Sequence, residues 1–233
     1  MEFELQEDVA LAPYTSLQLG GPARYFVEVT RRPTLVRALD WAASEGIAVA
    51  VLAGGSNLVV ADGGFDGLVL HMAVQGLDMV RDNQGALVVA QAGEPWESVV
   101  DATVNEGLGG VECLSGIPGS VGATPIQNVG AYGQEVSDTL VAVEVLDTRT
   151  VEVERWEARR CELGYRSSLF KRHPGRYVVL SASYRVERDA QPCLDYAQVR
   201  EALGYRLGNI VPSLSRVRGA VLSLRASKSM LLD

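Results

Sequence analysis

Two glycine-rich runs are the stretches of this sequence best suited to chemistry. Gly54-Gly55-Ser56-Asn57 directly follows an apolar run, and paired glycines permit positive φ and let backbone N–H groups approach a ligand. Those donors, with the Ser56 hydroxyl and the Asn57 amide, can hold a phosphate; a tight structural turn is the plainer alternative. The second run, Gly116-Ile117-Pro118-Gly119-Ser120-Val121-Gly122, suits a backbone that wraps a diphosphate or a flat ring. Gln127, Asn128, Gly130, Ala131, Tyr132 and Gly133 continue the same surface, with an ordered structural loop as the alternative. Arg166, in Tyr165-Arg166-Ser167-Ser168, offers a guanidinium that can pair in bidentate fashion with a carboxylate and stabilise charge developing on it. By default, however, an arginine is an exposed member of a surface ion pair. Lys228 either binds an anion or is solvated at a helix C-terminus.

The second run is neither G-x-G-x-x-G nor a loop ending in Gly-Lys-Ser/Thr, which argues against dinucleotide-fingerprint and P-loop binding. With His71 and His173 the only histidines, a metal centre or a Ser-His-Asp triad has little material, and no bound metal is expected. Cys113, Cys161 and Cys193 are odd in number and lack C-x-x-C spacing, so they read as buried thiols in a reducing compartment. A net charge of −8 works against nucleic-acid binding, which needs clustered Lys and Arg. No stretch has the charged-then-apolar pattern of a secretory leader or the run of a membrane span, so the cytoplasm is expected and no membrane partner. At 233 residues, 47% hydrophobic and 21% charged, the chain has the make-up of a protein with a full core.

The elements that must position these residues are legible in part. Leu35, Leu39 and Ala42-Ala43 recur at helical spacing, Gly46 supplies a left-handed stop, and residues 47–52 follow as a buried strand. A second strand covers 87–92, Gly93-Glu94-Pro95 turns it, and Trp96 begins a helix ending at Gly107. The segment 109–133 has no regular period, and a loop of that length in a compact domain is usually functional. Residues 140–146 and 151–154 alternate around Asp147-Thr148-Arg149-Thr150 as a hairpin, and 177–186 makes a further strand. A final helix spans 215–228 after Pro212-Ser213, with Val217, Val221 and Leu224 on one face.

Taken together, Thr15-Ser16-Leu17-Gln18-Leu19-Gly20-Gly21-Pro22-Ala23, Gly54-Gly55-Ser56-Asn57, Ile117-Pro118-Gly119-Ser120-Val121-Gly122 with Pro125-Ile126-Gln127-Asn128-Val129-Gly130-Ala131-Tyr132-Gly133, and Gly164-Tyr165-Arg166-Ser167-Ser168 resemble the UDP-N-acetylmuramate dehydrogenase family, also called UDP-N-acetylenolpyruvoylglucosamine reductase. The resemblance spans nearly the whole chain. It implies an α+β, two-lobed FAD-binding fold of the vanillyl-alcohol-oxidase type, with lobes at 1–72 and 73–226 and the start of a C-terminal substrate domain at 227–233. Gly54 to Asn57 and Ile117 to Gly122 would hold the FAD diphosphate. NADPH would reduce the flavin, which passes the hydride to the enolpyruvyl group of a UDP-sugar, giving UDP-N-acetylmuramate for peptidoglycan. Arg166 matches the arginine that stabilises the substrate's enolate-like carboxylate, and Tyr165 and Lys228 match residues lining the substrate site. The family continues past the Lys228 position into the substrate domain, which carries a proton-donating serine and a catalytic glutamate. This chain stops at Ser229-Met230-Leu231-Leu232-Asp233, so weak turnover is expected of it. Two other readings stand beside this one: a sugar or alcohol oxidase on the same fold, and a non-catalytic flavin-binding module that assembles with a separately encoded C-terminal domain. An exposed apolar patch at 224–232 would favour the last.

Overall fold

A computed structural model describes residues 3–206 and 210–232 of the chain. The remaining positions, which carry parts of the three expected ranges, lie outside the described residues.

The N-terminal part is a sheet with a crossover helix. Strands β1 (Gln6–Ala10) and β2 (Pro22–Val29) pair antiparallel; helix α1 (Arg32–Ser44) then leads to β3 (Val49–Leu52) and β4 (Phe65–Met72). Strand order is β1-β2-β4-β3, with β4 parallel to both neighbours, so α1 carries the chain across a gap that β4 later fills. Leu35, Ala38, Leu39 and Ala42 are buried on one face of α1, the i, i+3, i+4, i+7 pattern of an amphipathic helix. They pack on Val27, Val29, Leu68 and Leu70 of the sheet, and each buried leucine contributes about 1.5–3 kcal/mol. Gly46 ends the turn at φ +66°, as expected.

Next come β5 (Leu77–Arg81), β6 (Gly85–Gln91), α2 (Trp96–Asn105) and β7 (Leu108–Gly109), then a ribbon of β8 (Gly130–Ala131) and β9 (Gln134–Glu135). Strands β10 (Leu140–Asp147) and β11 (Val153–Glu157), the one-turn helix α3 (Leu169–Arg172), strand β12 (Tyr177–Arg188) and helices α4 (Ala197–Ala202) and α5 (Leu214–Ser227) complete the order. The second sheet runs β11-β10-β12-β6-β5, antiparallel, with β7 on the end of β12. A register shift between Glu144 and Val145 gives β12 an extra residue, so that Val179 and Ala182 pair with Val145 and Val143. Those four share the core beneath Trp96, Val99 and Val100 of α2, while Val178 and Leu180 join the core under α1. The bulge thus lets one strand feed both cores and tie the two sheets together.

Three expectations are adjusted. In β3 only Leu52 is fully buried, and Val51 is 40% exposed, because β3 is an edge strand whose outer face opens on a crevice. The β10–β11 connection takes the five residues 148–152, and Leu146 pairs with Val153. Val151 there adopts φ +59° and donates its N–H to the Asp147 carbonyl at 2.8 Å. Finally, 109–133 contains two short 3-10 turns, at Glu112–Leu114 and Val121–Ala123. Helix α5 runs one residue earlier at each end than the expected 215–228, with the Ser213 hydroxyl accepting the Arg216 N–H at 3.3 Å, an N-cap worth about 1 kcal/mol.

Candidate functional site

A crevice of about 440 Å³ lies between the two sheets, within the rough 300–1,000 Å³ range of small-molecule sites. Its walls are the outer face of β3, the loop after it, the segment 117–127 and the start of β12. Of the residues read from the sequence, Gly54, Gly55, Ser56, Asn57, Ile117, Pro118, Gly119, Ser120, Gly122 and Gln127 all line it.

The two glycine loops meet backbone to backbone. An alanine Cβ on Gly54 would stand 2.6 Å from the Gly119 Cα, closer than a side chain tolerates, so glycine is what permits the approach. Gly55 sits at φ +60°, and its carbonyl accepts the Ser16 N–H at 3.2 Å. The side chains expected to reach a ligand first hold the loops to each other: the Ser56 hydroxyl donates to the Pro118 carbonyl at 3.0 Å, and the Asn57 side-chain amide to the Gln127 side-chain Oε1 at 2.9 Å. What faces the crevice is backbone. Among the described residues, no protein acceptor takes the N–H of Gly54, Gly55, Ser56, Gly119 or Ser120, and the Ser120 hydroxyl is buried without a partner. No Asp or Glu lines the crevice, and Lys171 is its one cation among the described residues.

Asn128, Gly130, Ala131 and Tyr132 do not line this crevice. Asn128 is 1% exposed; its amide donates to Glu135 at 2.7 Å and to the Gly164 carbonyl at 3.2 Å, while its oxygen accepts the Ser137 N–H at 2.9 Å. It therefore pins the turn carrying Tyr165 and Arg166 to the β8–β9 ribbon. Arg166 donates to the Gly130 carbonyl at 2.5 Å, and Lys171 donates to the Arg166 carbonyl at 2.9 Å. Lys228 donates to Gln198 at 2.7 Å and stands 5.8 Å from the Tyr132 ring centre. Neither Arg166 nor Lys228 forms an ion pair among the described residues, so the surface ion pair, the default for Arg166, is not found. Tyr165 is 83% exposed. The ribbon thus gathers two cations without carboxylate partners, a disposition suited to an anionic ligand.

The cysteines, far apart in sequence, are not all alike. Cys113 and Cys161 are buried, Cys193 is half-buried, and Cys193 packs against Cys113, whose thiol lies 3.5 Å from the Cys193 carbonyl. Hydrogen bonding from Cys113 brings the Cys193 thiol down to about 7, whereas the same contact and burial push Cys113 up; burial takes Cys161 up to about 11. Since the thiolate is the nucleophile, iodoacetamide should label Cys193 first in the native protein, at a rate that rises as pH passes through that value. Mass mapping of the alkylated protein checks this, and equal labelling of Cys113 or Cys161 would contradict it.

Comparison with known proteins places this geometry. Residues 23–155 match the family model described as FAD binding domain. The UDP-N-acetylenolpyruvoylglucosamine reductase of Salinispora arenicola is 48% identical over 225 residues, 96% of this chain and 61% of the relative. That of Pseudomonas putida is 41% identical over 229 residues, 98% of this chain and 67% of the relative. The chain belongs to the UDP-N-acetylenolpyruvoylglucosamine reductase family. Among solved structures, the reductase of this family from Thermus caldophilus superposes with TM-score 0.68 at 28% identity, covering 97% of this chain and 70% of that one. Cholesterol oxidase from Brevibacterium sterolicum matches at TM-score 0.61 and 13% identity over 80% of this chain and 38% of that one, which shows the fold alone. The fold is therefore the α+β FAD-binding one expected. The chain spans about three fifths of the length of the curated reductases it matches first.

The crevice fits FAD on its own chemistry. A diphosphate needs donors and no competing carboxylates, and the free amides of both glycine loops with the orphaned Ser120 hydroxyl supply the first while the lining satisfies the second. Sequence reading missed the outer face of β3, Thr124, Lys171 and the start of β12, which also line the crevice. Their residue types are those of ordinary strand and turn positions, and only the topology brings them there. Of the apolar residues at the C-terminal end, Met230 and Leu232 are exposed, whereas Leu224 packs beside Val217 and Val221. Among the described residues there is no cluster of three metal-ligating side chains and no helix long and apolar enough to cross a membrane.

Proposed function

We propose that these residues are the FAD-holding part of a cytoplasmic enzyme that uses NADPH to reduce UDP-N-acetylglucosamine enolpyruvate to UDP-N-acetylmuramate, a peptidoglycan precursor. The observation that carries this reading is the pair of glycine loops joined at Gly54 and Gly119, in a chain 41–48% identical to reductases of that name. The first lobe is assigned to 1–72 and the second to 73–226. When bound, FAD supplies a carrier that accepts a hydride from NADPH and delivers it to the enolpyruvyl group.

The chain's residues do the rest. The loops Gly54 to Asn57 and Ile117 to Gly122 take the diphosphate through the free N–H groups of Gly54, Gly55, Ser56, Gly119 and Ser120, and the Ser120 hydroxyl finds its acceptor there. Gln127, by holding Asn57, keeps the first loop closed on the second. Arg166 is the catalytic residue. The one hydrogen bond its guanidinium makes among the described residues, to the Gly130 carbonyl, fixes the group and leaves donors for the substrate carboxylate, where negative charge grows during reduction. Lys228 and Tyr165 bind the UDP-sugar. Asn128, Gly130, Ala131 and Tyr132 serve this reaction by positioning Arg166 and Lys228. The double bond also takes up a proton, a step assigned to none of the described residues, so the 233 residues assayed by themselves are expected to turn over slowly.

Arg166→Ala tests the assignment. FAD affinity should stay within about twofold, while single-turnover reduction of substrate, followed by reoxidation of flavin under anaerobic conditions, should slow about 10²- to 10³-fold. Unchanged reduction, or loss of FAD from the variant, would remove Arg166 from this role.

A further inference from the structure

Both backbone polar groups of Gly116, the residue at which the second glycine loop begins, are taken by side chains outside that loop. The Gly116 N–H donates to the Glu97 carboxylate at 2.5 Å, and the Gly116 carbonyl accepts the Arg225 Nε–H at 3.0 Å. Glu97 belongs to the first turn of α2 and Arg225 to the last turn of α5. The same Arg225 guanidinium donates to the Met230 carbonyl at 3.1 Å, and Glu97 is itself held by Arg218 of α5 at 2.6 Å. Arg225 is 9% exposed, deeper than a solvated arginine sits. Gly116 has φ +69°, and a Cβ there would meet Leu231 at 2.7 Å and Leu222 at 2.9 Å. Helix α5 and the residues after it are thus pressed flush against the loop's first residue.

We propose that Glu97 and Arg225 are positioning residues that aim the second glycine loop at the cofactor; this rests on the FAD reading of the crevice. The C=O and N–H of a trans peptide point in opposite directions. With the Gly116 carbonyl tied to α5, the N–H of the same peptide, that of Ile117, is turned away from α5. With the Gly116 N–H tied to Glu97, the preceding peptide is fixed as well. Two consecutive peptide planes are set before any ligand arrives, which lowers the ordering cost of binding. Residues 214–231, outside the 23–155 match to the FAD binding domain, thereby become part of the cofactor machinery.

The test compares Glu97→Met, Arg225→Met, Glu97→Gln and Arg218→Met with the native chain by two readouts, amide hydrogen exchange across 115–122 without ligand and FAD affinity by fluorescence titration. Glu97→Met and Arg225→Met should each speed exchange in that segment and weaken FAD about tenfold, the loss of one charge-assisted hydrogen bond. The double variant should fall well short of the product of the two, because both act on one residue. Glu97→Gln keeps an acceptor for the Gly116 N–H and should restore affinity to within about twofold of native; Arg218→Met, which spares both Gly116 contacts, should do the same. Exchange across 115–122 unchanged in Glu97→Met and Arg225→Met, or FAD affinity in them within twofold of native, would overturn the proposal. So would an Arg218→Met loss equal to that of Glu97→Met, since helix packing and not Gly116 would then be responsible. A native chain that takes up no FAD would count against the cofactor reading, and the exchange arm would still decide whether the brace exists.

Discussion

Gly54→Ala is expected to lower FAD affinity at least about a hundredfold, some 2.7 kcal/mol, while leaving the two cores intact. The added methyl would stand 2.6 Å from the Gly119 Cα, 3.1 Å from its carbonyl carbon and 3.2 Å from the Ser120 nitrogen. All three are backbone atoms, so no side chain can rotate away and the loops must part. Parting moves both sets of free amides, and with them the Ser120 hydroxyl, off a common target. Gly63→Ala is the control: nothing lies within 4 Å of its would-be Cβ, and FAD titration should not distinguish that variant from native. Equal affinity of the Gly54 variant would mean the contact does not set the site.

The largest loss of stability should follow Trp96→Ala, about 3–5 kcal/mol by urea unfolding, the usual range for emptying an aromatic core position. Trp96 is 1% exposed and meets Tyr184 edge-on, with ring centres 5.4 Å apart. Its indole N–H donates to the Leu114 carbonyl at 3.0 Å, and its backbone N–H to the Gly119 carbonyl at 3.0 Å. One residue therefore anchors the α2 core and the second glycine loop. Trp96→Phe fills most of the space but leaves the buried Leu114 carbonyl without its donor, an expected cost of about 1–3 kcal/mol. A Trp96→Ala loss below that of Trp96→Phe would contradict this account of the core.

Local signals carried some of this structure. Helix α1 was readable because Leu35, Leu39 and Ala42 repeat at one face and Gly46 stops it; α5 was readable from its Ser213 cap and the Val217, Val221 pair. The glycine loops were readable because glycines clustered after a strand have few purposes. Long-range placement was not. The run from Gln127 to Tyr132 reads as one continuous surface, yet Asn128 at φ +45° and Tyr132 at φ +50° bend it so that Gln127 and Val129 line the crevice while Gly130 meets Arg166 and Tyr132 meets Lys228. Val49 to Val51 read as a buried strand because apolar residues on an edge facing a ligand crevice look like core. Cys113 and Cys193, 80 positions apart, are brought together by packing of the segment before α4, of which the sequence between them gives no sign. The Glu97–Gly116–Arg225 brace was equally hidden, since its members are separated by whole elements and belong to residue types that are usually solvated.

The most direct test of the central claim, that the joined glycine loops hold FAD, is the visible absorption spectrum of the purified chain after incubation with FAD and desalting, beside that of Gly54→Ala. The native chain should retain about one flavin per chain, with a spectrum shifted from that of free FAD, and the variant should lose it. A colourless native chain, or flavin retained equally by both proteins, would contradict the account.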